Sequence, residues 1–84
     1  MPRELRKDIR RMVRQGARMV SSDSSALGPC LIVDISVAGA RLEVKTSDAL
    51  PYRFILLLSH NGRLQRRCSV AWRSGTAVGV RFIH

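Results

Sequence analysis

From about residue 16 onward, apolar and polar side chains alternate over short stretches broken by turn residues, the period-two signature of half-buried strands. Ala40, Leu42 and Val44 alternate with Arg41, Glu43 and Lys45. Leu64, Cys68, Val70 and Trp72 share one parity, with Ser69 and Arg73 on the other. Val78, Val80 and Phe82 repeat the pattern and leave Gly79 and Arg81 outward. Each strand is therefore expected to turn one face to a core and the other to water. The run at 54–58, Phe-Ile-Leu-Leu-Leu, is apolar at both parities, which predicts cover on both faces.

Punctuation fixes where these strands stop. Asn61-Gly62 and Ser74-Gly75 supply residues that accept positive φ, so each predicts a tight hairpin turn. Strands are expected near 16–21, 28–35, 39–45, 52–59, 63–73 and 77–83, with loops at 21–25 and 46–51. No long helical periodicity, internal repeat or low-complexity tract interrupts them. Six short strands in 84 residues predict an all-β fold, a six-stranded antiparallel β-barrel over 16–84, because closure removes unpaired strand edges. Ahead of it, residues 1–15 read as a flexible basic N-terminal arm. Leu5, Ile9, Met12 and Val13 would also share one face of a helix, with Arg6, Arg10, Arg14 and Arg18 stacked on another, so a basic amphipathic helix is the alternative for this segment.

Composition narrows the partners. The formal charge is +9, from 15 Lys and Arg against 6 Asp and Glu, which favours anions such as phosphates, nucleic acid, acidic proteins or lipid headgroups. Arg3, Arg6, Lys7, Arg10, Arg11, Arg14 and Arg18, opposed by only Glu4 and Asp8, concentrate more than half of that excess at the N-terminal end. The longest apolar run, 54–58, is far too short for a membrane span. The first eighteen residues offer no apolar stretch for a secretory signal, so a cytoplasmic location is expected. In that compartment Cys30 and Cys68 are expected to be reduced core thiols.

The side-chain inventory argues against catalysis. His60 sits beside a turn and His84 is the last residue, and neither is placed next to a serine, cysteine or carboxylate. Cys30, His60, Cys68 and His84 lack the short ligand spacings that preorganise zinc, and no Gly-rich loop resembles a P-loop. No enzyme, metal or cofactor is expected. The most informative stretch is Asp34-Ile35-Ser36-Val37-Ala38-Gly39, which interrupts an apolar strand with an acid, a hydroxyl and a glycine. The plain structural reading is a side-chain-capped turn, with Gly39 at positive φ. The functional reading is that Asp34 accepts hydrogen bonds from a guanine edge, Ser36 bonds base or phosphate, and Gly39 admits a ligand close to the backbone. Paired arginines upstream could grip phosphate, reach guanine O6 and N7, or stack on a base, unless they form only a solvated basic arm.

Together these residues resemble the PilZ family, whose pattern is Arg-x-x-x-Arg followed by Asp/Asn-x-Ser-x-x-Gly. Two registers are available, Arg6-Lys7-Asp8-Ile9-Arg10 and Arg10-Arg11-Met12-Val13-Arg14. The first is preferred because Val13 then stands where members carry an apolar residue, with the first strand entered at Arg18-Met19-Val20. The likeness continues through Gly39-Ala40-Arg41-Leu42-Glu43-Val44, Leu50-Pro51, Phe54, Cys68-Ser69-Val70-Ala71-Trp72-Arg73 and Gly79-Val80-Arg81-Phe82. It implies a stand-alone PilZ-like barrel that binds the bacterial second messenger cyclic di-GMP, its basic arm folding across the barrel mouth. By position, Arg6 and Arg10 would contact phosphates and guanine faces, Asp34 the guanine edge, Ser36 base or phosphate, and Gly39 would permit the close fit. Arg11 is a further candidate contact, and Trp72 reads first as core and second as a wall of the site. The implied role is a receptor that relays ligand level to a downstream protein effector. The alternatives are a ligand-free protein-interaction adaptor of the same fold and a basic nucleic-acid or membrane-surface binder, with nucleic acid the less expected partner.

Overall fold

The computed structural model describes residues 10–83, and Arg6 lies outside that part. Six strands follow one another: β1 (Arg11–Val20), β2 (Ala26–Ile35), β3 (Gly39–Glu43), β4 (Arg53–Leu57), β5 (Gln65–Ser74) and β6 (Ala77–Ile83). They close into a barrel in the order β1-β2-β3-β6-β5-β4, and every neighbouring pair is antiparallel. The closing joint pairs Arg18, Met19 and Val20 with Leu57, Leu56 and Ile55.

Alternation builds the interior as expected for most strands. Met19, Ile32, Leu42, Phe54, Leu56, Cys68 and Val78 are all buried and belong to one continuous core. A 3-10 turn at Ser47–Ala49 caps one end, where Arg73 donates hydrogen bonds to the carbonyl oxygens of Ser47 and Leu50. The apolar run at 54–58 is covered on one side only. Phe54 and Leu56 point inward and are buried, whereas Ile55, Leu57 and Leu58 are half-buried, because among the described residues no element packs over the outer face of β4.

The beginning of the chain departs from expectation. Arg11–Gln15, assigned to the arm on sequence, are strand, and the helical alternative does not hold from Arg11 onward. Pairing explains the outcome, since Arg11 opposite Ile35 and Met12 opposite Asp34 satisfy backbone groups of both strands. A register shift between Met12 and Gln15 bends β1 at this end. From Arg11 onward the helical reading of the arginine spacing is thus overridden by tertiary pairing. The loop after β4 is also wider than a two-residue hairpin. The amides of Leu58 and Ser59 both donate to Leu64 O, and the Asn61 side chain accepts from Arg63 N at 3.0 Å, with Gly62 at φ +74°. Between β5 and β6 the tight turn is Gly75-Thr76, with Gly75 at φ +60° and Ser74 paired to Ala77.

Two irregularities set which side chains reach the outer wall. Opposite β3, β2 carries one extra residue, Val33, between the pairs Ile32–Leu42 and Asp34–Arg41. Opposite β6, β5 carries one extra residue, Ala71, between the pairs Val70–Val80 and Trp72–Gly79. Each bulge reverses which parity faces outward beyond it.

Cys30 and Cys68 are free and buried. Burial pushes the Cys30 thiol up from 9.0 to about 11 and the Cys68 thiol up to about 12. Because the thiolate is the nucleophile, neither is expected to react with iodoacetamide in the native protein at about pH 8, while both alkylate after denaturation. Rapid labelling of the folded chain, followed by mass spectrometry, would contradict this. The thiols' contribution to stability is full below their unfolded pKa of 9.0 and declines as pH rises toward the folded values, since the unfolded state then releases protons first.

Candidate ligand-binding cleft

The bulge at Val33 turns Asp34 away from the parity of the core and sets it beside Arg41 of the neighbouring strand. Its carboxylate is held by two guanidinium groups. Arg10 Nη1 lies 2.7 Å from Oδ1 and Arg41 Nη2 lies 3.0 Å from Oδ2. The Asp34 side chain is only 7% exposed, against 55% for Arg10 and 45% for Arg41. Burying a carboxylate this far is costly unless it is paired, and the two arginines pair it while staying about half exposed themselves.

The turn that follows is built by its own side chain. Ser36 Oγ accepts hydrogen bonds from Ala38 N at 3.2 Å and Gly39 N at 3.3 Å, and Ser36 N donates to Gly39 O at 2.8 Å. Gly39 is not in the left-handed region, contrary to the turn reading, since the positive-φ glycines are Gly28, Gly62 and Gly75. What Gly39 provides is closeness: a Cβ there would collide with the carbonyl oxygen of Val80 on β6.

Trp72 is corrected from core to surface. The bulge at Ala71 takes it out of the inward parity of Cys68 and Val70, and it is 44% exposed. Its indole lies against Gly79, where a Cβ would run into the ring. Gly79 is in turn the cross-strand partner of Arg41, and Gly39 is that of Arg81. Arg10, Asp34, Arg41, Trp72, Gly79 and Arg81 thus share a cleft of about 840 Å³. It opens on the outer wall of β2, β3, β6 and β5. Three guanidinium groups against one carboxylate give it a positive field that draws anions.

Of the residues singled out on sequence, Arg10, Asp34 and Gly39 meet here, with Trp72. Ser36 and Arg11 line a separate cleft of about 600 Å³ at the barrel end, with Val37, Leu58, Arg66 and Phe82. Arg41 and Arg81 were missed. Their outward parity was visible in the alternation, but their nearness to Asp34 depends on β3 lying between β2 and β6, which spacing alone does not give. Among the described residues no cluster of His, Cys, Asp and Glu is arranged to hold a metal, and no helix is long and apolar enough to cross a membrane.

A family model described as the PilZ domain matches residues 4–84, essentially the whole chain. No curated protein matches it.

The two glycines have separable roles that substitution should expose. Gly39→Ala is expected to destabilise the barrel by about 1–3 kcal/mol through overpacking on the Val80 carbonyl, whereas Gly16→Ala, with open space around it, should stay within about 0.5 kcal/mol. Urea titrations of the two variants check this, and equal midpoints would contradict it. Gly79→Ala should displace the indole and shift the emission of Trp72, the single tryptophan of the chain.

Proposed function

The chain belongs to the PilZ domain family, and on that premise we propose that it is a cyclic di-GMP receptor module whose ligand engages Arg10 and Asp34 in the outer-wall cleft. The family is one of binding domains known for this dinucleotide. The observation that carries the reading is the 2.7 Å contact between Arg10 and Asp34, which brings the two halves of the sequence pattern together across 24 positions. A guanidinium matches both a phosphate and the O6/N7 edge of guanine, and a carboxylate accepts from the N–H groups on the opposite edge of that base. The exposed face of Trp72 offers a stacking surface for a base. A volume of about 840 Å³ is adequate for a dinucleotide lying partly in solvent.

Roles divide accordingly. Arg10 leaves Asp34 to grip phosphate or a guanine face, and Asp34 then reads the guanine edge. Arg6, which lies outside the described residues, supplies the second guanidinium of the preferred register. Ser36 and Gly39 act by shaping the turn and the close approach of β3 to β6, and Arg11, at the neighbouring cleft, is a secondary phosphate contact. The ligand carries two phosphates, which suits a cleft with an excess of positive charge. No chemistry is performed on it, and its presence is relayed to a partner protein through the surface it covers.

Calorimetric titration of cyclic di-GMP checks the reading. Micromolar or tighter binding is expected for the intact chain, on the order of −8 kcal/mol. Arg10→Ala and Asp34→Ala should each weaken it by about tenfold or more, as loss of a charge-assisted hydrogen bond implies. Excess GTP or nucleic acid should not displace the ligand. Absence of saturation for the intact chain at concentrations on the order of tens of micromolar would overturn the receptor reading.

A further inference from the structure

The two guanidinium partners of Asp34 are anchored very differently. Arg10 lies just before β1, at the edge of the paired backbone. Arg41 sits in the middle of β3, paired on one side with Asp34 itself and on the other with Gly79. The barrel wall therefore fixes the backbone of Arg41, and the Val33 bulge puts Asp34 directly across from it. Each takes a different oxygen of the carboxylate, Arg10 at Oδ1 and Arg41 at Oδ2.

This asymmetry has an electrostatic consequence. If Arg10 turns to a phosphate, a carboxylate that is 7% exposed loses one of its two cations. An enclosed carboxylate left without a countercharge is strongly disfavoured, so a second cation must remain for the exchange to proceed. We propose that Arg41 is a positioning residue for ligand recognition: it holds Asp34 through Oδ2 while Arg10 exchanges from Oδ1 to the ligand. The freed Oδ1 then meets the guanine edge in one fixed orientation. Without Arg41, Arg10 is the sole countercharge of Asp34 and the ligand has to compete for it. The inference rests on the receptor reading, and it assigns Arg41 no contact with the ligand.

Cyclic di-GMP titrations of Arg41 variants and a ligand-free NMR measurement test it together. Arg41→Ala is expected to weaken binding about tenfold, and Arg41→Lys, which keeps a cation within reach of Oδ2, to restore most of the loss. In an Asp34→Ala background the Arg41→Ala penalty should vanish, since the cycle isolates an effect transmitted through that carboxylate. Without ligand, the three-bond couplings that report χ1 of Asp34 should indicate a single rotamer in Arg10→Ala, where Arg41 alone holds the carboxylate, and averaging once Arg41→Ala is added to it. Should Arg41→Ala fail to fold, Arg41→Gln, which keeps a donor but no charge, is expected to weaken binding in the same direction. Undiminished affinity in the folded uncharged variant overturns the proposal. So does a penalty that persists without Asp34, which would mean that Arg41 touches the ligand directly, and so do unchanged Asp34 couplings. Failure of the intact chain to bind the nucleotide would instead remove the receptor reading, and the couplings would still decide whether Arg41 holds the carboxylate.

Discussion

One extra residue in β2 decides which side of the barrel wall the Asp34 carboxylate occupies. Regular alternation after Cys30 and Ile32 would carry it into the core, where an acid among Leu42, Phe54 and Leu56 would be strongly disfavoured. The bulge at Val33 moves it to the outer side of the wall, opposite Arg41, where it stays buried. From that come the ion pairs with Arg10 and Arg41, the attachment of the first described residue to the barrel and the floor of the cleft. A second bulge, at Ala71, does the corresponding thing for Trp72. Two local departures from the pleat thus bring an acid and an aromatic ring, both at core parity in the sequence, onto one external face.

Between them the wall is kept thin. Gly39 and Gly79 lie on adjacent strands, each opposite an arginine of the other. Neither uses the left-handed backbone freedom of glycine. Each is small because something lies against it, the Val80 carbonyl in one case and the Trp72 indole in the other. The cleft owes its shape to missing side chains as much as to present ones, and its charge to Arg41 and Arg81 flanking them.

Much of this was legible in the sequence, and what was not has identifiable causes. The five strands after the first fell close to their expected places, because side chains facing in and out by turns leave a period-two trace that turn residues bracket. The first strand was harder: arginines four apart imitate a helix face, and only the partner β2 reveals that the backbone at Arg14 and Arg18 is extended. Trp72 was misassigned because parity was carried through Ala71 without a break, and no residue type there announces a bulge. The importance of Gly39 was visible but its reason was not, since close approach to β6 depends on strand order. Arg41 was hidden in plain alternation. Its meaning lies in which strand stands next to it, a property that composition and spacing do not encode.

The joint between β1 and β4 contains three residue pairs, fewer than any other around the ring. Of its outward side chains, Val20, Ile55 and Leu57 are half-buried, and Arg18 is exposed and donates a hydrogen bond to the carbonyl oxygen of His60. Parting there would leave every other ladder intact and convert the cylinder into an open ribbon with two unpaired margins. Such a ribbon can close on itself or on the margin of another copy with the same hydrogen bonds.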